Sequence, residues 1–391
     1  MASCNFCFSH ISPEAPTFAC PSCAPVDDPR RSRIMGAQVT GPRARTFSRP
    51  AEHKGRWKPP TSAFCDECGT AMSRCCSECH MALPPQWLDG RTLTVALAGG
   101  RSSGKTVFIA QGIRTLEQFV VGGGGNLEWI DDAGRQTYRQ RYEMPLRESV
   151  LPGATTPLAS ADSTSRTPLA IRVNRSQSGG ALNISMRDVA GEDLEADQNV
   201  AFLDVIGRAD LVVYLFDPMA VPEVRDALAG LVTMDQVSQV APLDVLERTM
   251  QHVGSNSPRL AVCVSKFDLF HTLKARATGA SDAPGHAPNG LIEAVQNPAA
   301  AMSRDARTPD EVEADGALMD AEIRSLLEYM GAKSFVNGVT NLARQRKIEL
   351  RFFAVSALGD PPAMGAVDPQ GIAPFRCADP LFWAARAKGV L

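Results

Sequence analysis

No stretch of this 391-residue chain approaches the roughly 20 consecutive apolar residues of a membrane span, and its longest strongly apolar runs, such as Leu211 to Phe216, are strand-sized. A membrane-spanning helix is therefore not expected. An excess of one charge is also missing: 40 basic residues stand against 43 acidic ones, and the net charge of −3 gives no global signal for nucleic acid or a membrane surface. Histidine is scarce, and its six positions (His10, His53, His80, His252, His271 and His286) form no spaced catalytic set. The N-terminus, Met1-Ala2-Ser3-Cys4, lacks the charged and then apolar layout of a secretory signal, which predicts a cytoplasmic protein. Beyond residue 79 cysteine nearly disappears, leaving Cys263 and Cys377, which read as core thiols and not as nucleophiles. The rest is an ordinary folded composition, 44% hydrophobic and 21% charged, in a length that suits one large domain with an appendage or two domains.

The cysteines that are present are concentrated. Nine of the 11 lie between Cys4 and Cys79, and eight of these form four CxxC pairs: Cys4/Cys7, Cys20/Cys23, Cys65/Cys68 and Cys76/Cys79. Two thiolates separated by two residues chelate one tetrahedral Zn²⁺ from a tight knuckle, and two knuckles close a four-cysteine site. Four knuckles predict two structural zinc ions. A disulfide framework is the alternative, disfavoured by the missing secretory signal. Spacing leaves the pairing open: sequential pairing joins Cys4, Cys7, Cys20 and Cys23 in one site and Cys65, Cys68, Cys76 and Cys79 in the other, and an interleaved arrangement is the alternative. Cys75 is left over, and His80 is a substitute ligand. Residues 24–64, between the second and third knuckles, hold nine basic residues against three acidic ones, with many Pro, Ser and Gly, and read as a flexible basic linker. Such a tract can meet nucleic acid or an acidic partner, or be only a solvated linker. Residues 1–85 are thus expected as a zinc-ribbon module with a basic linker.

After Pro84-Pro85 the pattern changes. Leu93 to Leu97 is a short apolar strand, and it runs into Gly99-Gly100-Arg101-Ser102-Ser103-Gly104-Lys105-Thr106 before a helical stretch from Val107 to Leu116. This is GxxxxGK[ST] between a strand and a helix, where glycines let backbone N–H groups curl around a β-phosphate at the positive end of a helix. Lys105 bridges β- and γ-phosphates in such a loop, and Thr106 offers its hydroxyl to Mg²⁺. Leu182 to Arg187 alternates like a strand and ends in Asp188-Val189-Ala190-Gly191-Glu192, a DxxG; Asp188 can hold the Mg²⁺ shell and the Gly191 N–H can meet a γ-phosphate. Leu211 to Phe216 is a buried strand closed by Asp217-Pro218. Leu260 to Val264 is another, and it delivers Ser265-Lys266-Phe267-Asp268. A carboxylate at Asp268 accepts from both N1–H and the 2-amino group of guanine, whereas adenine leaves it unpaired. The stem of Lys266 can cover the base, and after the strand Leu350 to Val355 the segment Ser356-Ala357-Leu358 offers the Ala357 N–H to guanine O6.

Four motifs in this order resemble the Ras-like P-loop GTPases of the translation-factor-related (TRAFAC) class, over about residues 90 to 391. Within it, Asp188 to Glu192, Leu215-Phe216-Asp217-Pro218 and Asp379-Pro380-Leu381-Phe382-Trp383 resemble bacterial double-GTPase-type domains, some with N-terminal zinc ribbons. Only one complete motif set is present. The resemblance implies an α/β three-layer P-loop domain with a mainly parallel sheet over residues 86–391, with insertions near 118–150 and 271–346, and GTP or GDP, Mg²⁺ and Zn²⁺ as ligands. It implies a GTP-binding switch, an effector protein met through switch regions or insertions, and hydrolysis of GTP to GDP and phosphate in which Lys105, a switch threonine and Glu192 act. Departures from the pattern refine this. Ser265 stands where Asn or Thr is usual, and Glu192 where many relatives carry a water-orienting glutamine, which predicts slow turnover. Thr155, preferred over Thr156 in Leu151-Pro152-Gly153-Ala154-Thr155-Thr156-Pro157, is the candidate to cover Mg²⁺ and the γ-phosphate. Arg101 is the arginine to test as a finger. The glycines at 122–125 read as a hinge in a mobile first switch. Glu311 to Met330 and Phe335 to Arg346 have helical spacing, and Pro380 to Lys388 reads as a closing amphipathic helix. Two other functions fit the same residues: a non-hydrolysing, nucleotide-stabilised adaptor, and a zinc-ribbon nucleic-acid-binding protein regulated by nucleotide.

Overall fold

The computed structural model describes residues 2–153, 167–174, 180–195, 203–228, 240–253, 258–270, 309–360, 362, 366–367 and 371–389. Its centre is a seven-stranded sheet of β1 (Arg91–Ala98), β2 (Asn126–Trp129), β3 (Leu169–Asn174), β4 (Ala181–Asp188), β5 (Leu211–Phe216), β6 (Arg259–Val264) and β7 (Leu350–Ala354), in the order β7-β6-β5-β1-β4-β3-β2. Strands β7, β6, β5, β1 and β4 run parallel, with Val213 opposite Leu97 and Leu97 opposite Asp188. The outer strands β3 and β2 pair antiparallel. The near-continuous apolar runs in β5 and β6 follow from burial on both faces. Val212, Tyr214 and Phe216 of β5 enter one core cluster, with residues of the helices Pro242–Gln251, Pro309–Tyr329 and Lys333–Gln345. Val213 and Leu215 enter the other, with the helices Lys105–Gly122 and Asp379–Ala387. The result is helix, sheet, helix, as expected of the α/β class, and the helices predicted after residue 309 and at the chain's end are present. No helix among the described residues is long and apolar enough to cross a membrane.

The glycine run expected as a hinge ends a helix instead. Gly123 caps Lys105–Gly122 by donating to Phe119 O, and Gly124 takes a left-handed φ of 75°. A Cβ at Gly125 would stand 2.3 Å from Asn174 O, so only glycine lets the chain turn this closely into edge strand β2.

The basic segment is also more ordered than a free linker. Its helix Pro29–Met35 is capped by Asp28, whose side chain accepts from Arg31 N, and by Gly36 in the left-handed region. Arg33 pairs with Asp204, Arg43 with Glu67 and Arg45 with Asp66, so three of the nine basic residues already face carboxylates. The segment's strand Ala44–Thr46 pairs with Thr17–Ala19, which pairs with Ser73–Cys75, in a small antiparallel sheet.

Contacts cross the boundary drawn at residue 85. The fully buried Trp87 donates from Nε1 to Ser3 O at 2.6 Å, and Ser3 N donates to Thr92 Oγ1 at 2.9 Å. Along β4 the residues alternate: Leu182, Ile184 and Met186 enter the core, while Asn183, Ser185 and Arg187 point the other way and are equally buried. Asn183 Nδ2 donates to Trp87 O, Ser185 Oγ to Asn5 O and Arg187 Nη1 to Phe6 O, at 2.8, 2.6 and 2.7 Å. The polar face of β4 is thus the seat of the first cysteine knuckle.

Candidate functional site

Outer knuckles pair with each other, and so do inner ones. Cys4, Cys7, Cys76 and Cys79 form one cluster and Cys20, Cys23, Cys65 and Cys68 the other, with ligand atoms within 4.8 Å of one another in each. The closest sulfur pairs are 3.7 and 3.6 Å apart in the first cluster and 3.5 and 3.6 Å in the second. A tetrahedron with Zn–S of about 2.3 Å has edges of about 3.8 Å, so both donor sets fit zinc. Sequential pairing is excluded by this nesting. It also accounts for the ordered basic segment, because Cys23 and Cys65 at its two ends belong to one cluster.

Three knuckles share one backbone path. Phe8 N donates to Cys4 O, Gly69 N to Cys65 O and His80 N to Cys76 O, and Phe8, Gly69 and His80 all take left-handed φ values. Backbone N–H groups also reach sulfur, as from Phe6 to Cys4 and Glu78 to Cys76. His80 is therefore a turn residue and not a ligand: its Nδ1 lies 2.9 Å from Asp28 Oδ2. Cys75 belongs to neither cluster. Burial pushes its thiol up to about 12. In the first cluster burial pushes Cys4 above its ordinary value, while hydrogen bonding from Cys4 pulls Cys7 down. In the second, bonds from Thr70 hold Cys68 near 6. Arg187, fully buried over the Phe6 ring at 5.4 Å, is lowered by desolvation to about 10 against the opposing pull of Cys7, Cys79 and Cys4, and so stays a cation at neutral pH.

The second constellation lies along the carboxyl ends of the parallel strands, where open α/β sheets hold ligands. Gly99 to Gly104 leaves β1 and enters the helix beginning at Lys105. Gly99 (φ 144°) and Gly104 (φ 85°) take left-handed backbone, as does Ser102 (φ 58°). A Cβ on Gly99 would lie 2.1 Å from Leu215 O, which leaves room for glycine alone. Lys105 is buried, and its Nζ donates to Gly99 O at 2.7 Å and Gly100 O at 3.0 Å, so the ammonium is folded back under the loop. Ser103 Oγ is buried with no hydrogen-bond partner among the described residues.

From β4 come Asp188, buried at the strand end, and Gly191, which opens the short helix Gly191–Glu195. Gly191 rests directly on the loop: a Cβ there would be 2.7 Å from both Arg101 N and Gly100 C. Glu192 pairs with Arg101 at 2.7 Å. From β6 come Ser265, Lys266 in the left-handed region (φ 51°) and the buried Asp268. Ser356, fully buried after β7, donates from Oγ to Asp268 Oδ1 at 2.5 Å and accepts from Gly359 N at 2.9 Å. Ala357 beside it is half-buried. The sequence-predicted residues Gly99 to Thr106, Asp188, Gly191, Glu192, Lys266, Asp268, Ser356 and Ala357 therefore all stand at adjoining strand ends. Thr155 and Thr156, and the stretch 275–300, lie outside the described residues.

Two side chains here have roles that motif matching did not assign. Ser265 Oγ donates to Phe216 O at 2.8 Å and ties β6 to β5. Asp217 is buried, accepts from Met219 N and pairs with Lys266 Nζ at 2.6 Å, fixing the lysine's direction. An aspartate closing a buried strand next to the Ser-Lys-Phe-Asp strand was the available signal.

No protein-family model matches the chain. Among solved structures, the signal recognition particle receptor SRb-GTP/SRX complex from Chaetomium thermophilum is similar at 13% identity, covering 70% of this chain and 94% of that one, with a TM-score of 0.27. That degree of likeness bears no functional weight. A protein of Mycolicibacterium smegmatis, SaeC, named as a proposed ESX-1 scaffolding and assembly protein, is 32% identical over 398 aligned positions that span all of both chains. By that identity, carried end to end, the chain belongs to the SaeC family.

Proposed function

We propose that the chain is a GTP-binding switch that hydrolyses GTP slowly to GDP and phosphate, and that it works in protein assembly in the cytoplasm. The observation that carries the nucleotide reading is the convergence of Lys105, Asp188, Asp268 and Ser356 at neighbouring ends of β1, β4, β6 and β7. Lys105 and the loop N–H groups meet the phosphates, with the positive end of an 18-residue helix beneath them. Thr106 and Asp188, with Thr155, hold Mg²⁺. Asp268 reads the guanine edge, and its bond from Ser356 orients the carboxylate. The Lys266 stem lies over the base, directed by Asp217, and the Ala357 N–H meets O6. Glu192 positions water, and a carboxylate there in place of an uncharged amide supports slow turnover. The scaffolding and assembly role in the relative's name supports protein partners for this chain, met through the Gly191–Glu195 segment or the helices after residue 309.

Binding and turnover of GTP, ATP and xanthosine triphosphate with Mg²⁺ test this, beside Asp268→Asn. The expected result is a GTP preference that moves to the xanthine nucleotide in the variant. Equal use of ATP refutes the guanine assignment, and absence of nucleotide binding refutes the switch reading altogether.

A further inference from the structure

The ion pair between Arg101 and Glu192 joins the two segments that meet a triphosphate in the nucleotide-binding reading, on which this inference rests. Arg101 is the third residue of the glycine loop, and Glu192 directly follows the glycine of Asp188-Val189-Ala190-Gly191. The segments meet in at least two ways. One is steric, the Gly191 backbone seated on the Gly100–Arg101 peptide without room for a Cβ. Another is ionic, at 2.7 Å, with the arginine side chain 64% exposed and the glutamate 34% exposed. A pair this open to water is worth little by itself. It is easily exchanged for a better partner.

We propose that Arg101 is the residue that distinguishes a nucleoside triphosphate from a diphosphate, and that Glu192 is the internal anion holding it until a γ-phosphate arrives. A γ-phosphate adds negative charge and acceptor oxygens next to the loop. It repels the Glu192 carboxylate and offers the planar guanidinium a bidentate partner of higher charge. Arg101 passes from Glu192 to the phosphate, and the Gly191–Glu195 helix loses its ionic tie to the loop. A diphosphate has no group at that place and leaves the pair intact. The same exchange removes the glutamate's charge from the entering phosphate's path, so an acidic residue after the glycine is compatible with triphosphate binding.

The test is equilibrium titration of fluorescent GDP and of a non-hydrolysable GTP analogue against the full-length protein and its Arg101→Ala, Glu192→Gln and Lys105→Ala variants. Hydrogen–deuterium exchange over residues 188–195 is the second readout. Arg101→Ala is expected to weaken the triphosphate by roughly ten- to a hundredfold, the range for hydrogen bonds to charged groups, while leaving GDP binding unchanged. Glu192→Gln is expected to tighten the triphosphate selectively. Exchange over 188–195 should change with the triphosphate and not with GDP. Lys105-dependent binding in which Arg101→Ala weakens both nucleotides equally, or neither, overturns this inference and leaves the nucleotide reading standing. A wild-type protein that binds neither nucleotide overturns both.

Discussion

Replacing Arg187 by methionine tests whether the first cysteine cluster is held on the sheet by one buried cation. Arg187 has no exposed surface, donates to Phe6 O at 2.7 Å and lies 5.4 Å from the Phe6 ring. Losing a charge-assisted hydrogen bond costs about 1.5–3 kcal/mol, and losing the ring contact about 0.5–2 kcal/mol. Methionine refills much of the volume and needs no desolvated charge, which returns part of that sum. The net expectation is a loss of about 2 kcal/mol, or about 2–3 °C in Tm at about 2.1 cal/mol/K of unfolding entropy per residue in a chain of this length. With zinc bound, four thiolates leave the cluster with two net negative charges. Arg187 is the buried cation acting on Cys4, Cys7 and Cys79, so zinc should also escape faster from the variant. Thermal melts with and without chelator, beside zinc release followed with a chromogenic chelator, measure both effects. A variant that melts and releases zinc like wild type refutes the reasoning, as does a Tm loss that persists undiminished in chelator-treated protein, because Arg187 would then act independently of the metal.

Zinc analysis of the purified protein should give two ions per chain, and His80→Gln should keep both, since the imidazole faces Asp28 and not the cluster; a fall to one ion makes His80 a ligand after all. Two glycines of the loop should differ in sensitivity. Gly99→Ala places a methyl 2.1 Å from a backbone carbonyl at φ 144°, and should cost about 3 kcal/mol or more in urea unfolding. Gly104→Ala meets nothing within 4 Å and bears only the left-handed backbone penalty of about 1–2 kcal/mol. Equal costs at the two positions would mean that the close seat of Gly99 on β5 is not the source of its sensitivity.

The strand-end constellation was legible because each of its parts is local. An apolar strand fixes where its carboxyl end falls, and the residues singled out stand between that end, as Asp188 does, and seven positions beyond it, as Lys105 does, so Lys105, Asp188, Asp268 and Ser356 could be placed without knowing the sheet order. The knuckle pairing was not legible. CxxC spacing describes one knuckle and is silent on which others lie nearby in space, and the nested pairing depends on residues 24–64 folding back through the Asp28-capped helix. His80 misled for a related reason. Its place directly after Cys79 suits a ligand in sequence, but the shared knuckle path puts that residue in a left-handed turn. The polar alternation Asn183, Ser185, Arg187 was visible too, yet alternation cannot separate a face turned to water from one covered by another part of the chain.

That covered face joins the two halves of the molecule. Arg187 and Asp188 are consecutive in β4, so the side chain that fastens the first cysteine cluster and the carboxylate at the strand's end share one peptide unit. Asp188 sits opposite Leu97, the penultimate residue of β1, and Val189 N donates to Leu97 O just before Gly99 begins the loop. A shift of the knuckle carbonyl at Phe6 therefore acts on a strand whose carboxyl end is hydrogen-bonded to Leu97, two residues before the glycine loop. Strands buried on both faces and paired on both edges resist bending, and small displacements in them pass along the backbone in place of being absorbed by loops. An appended zinc module on a free tether would have no such path. The arrangement instead makes the first cysteine cluster part of the scaffold that sets the positions of Asp188 and Gly99.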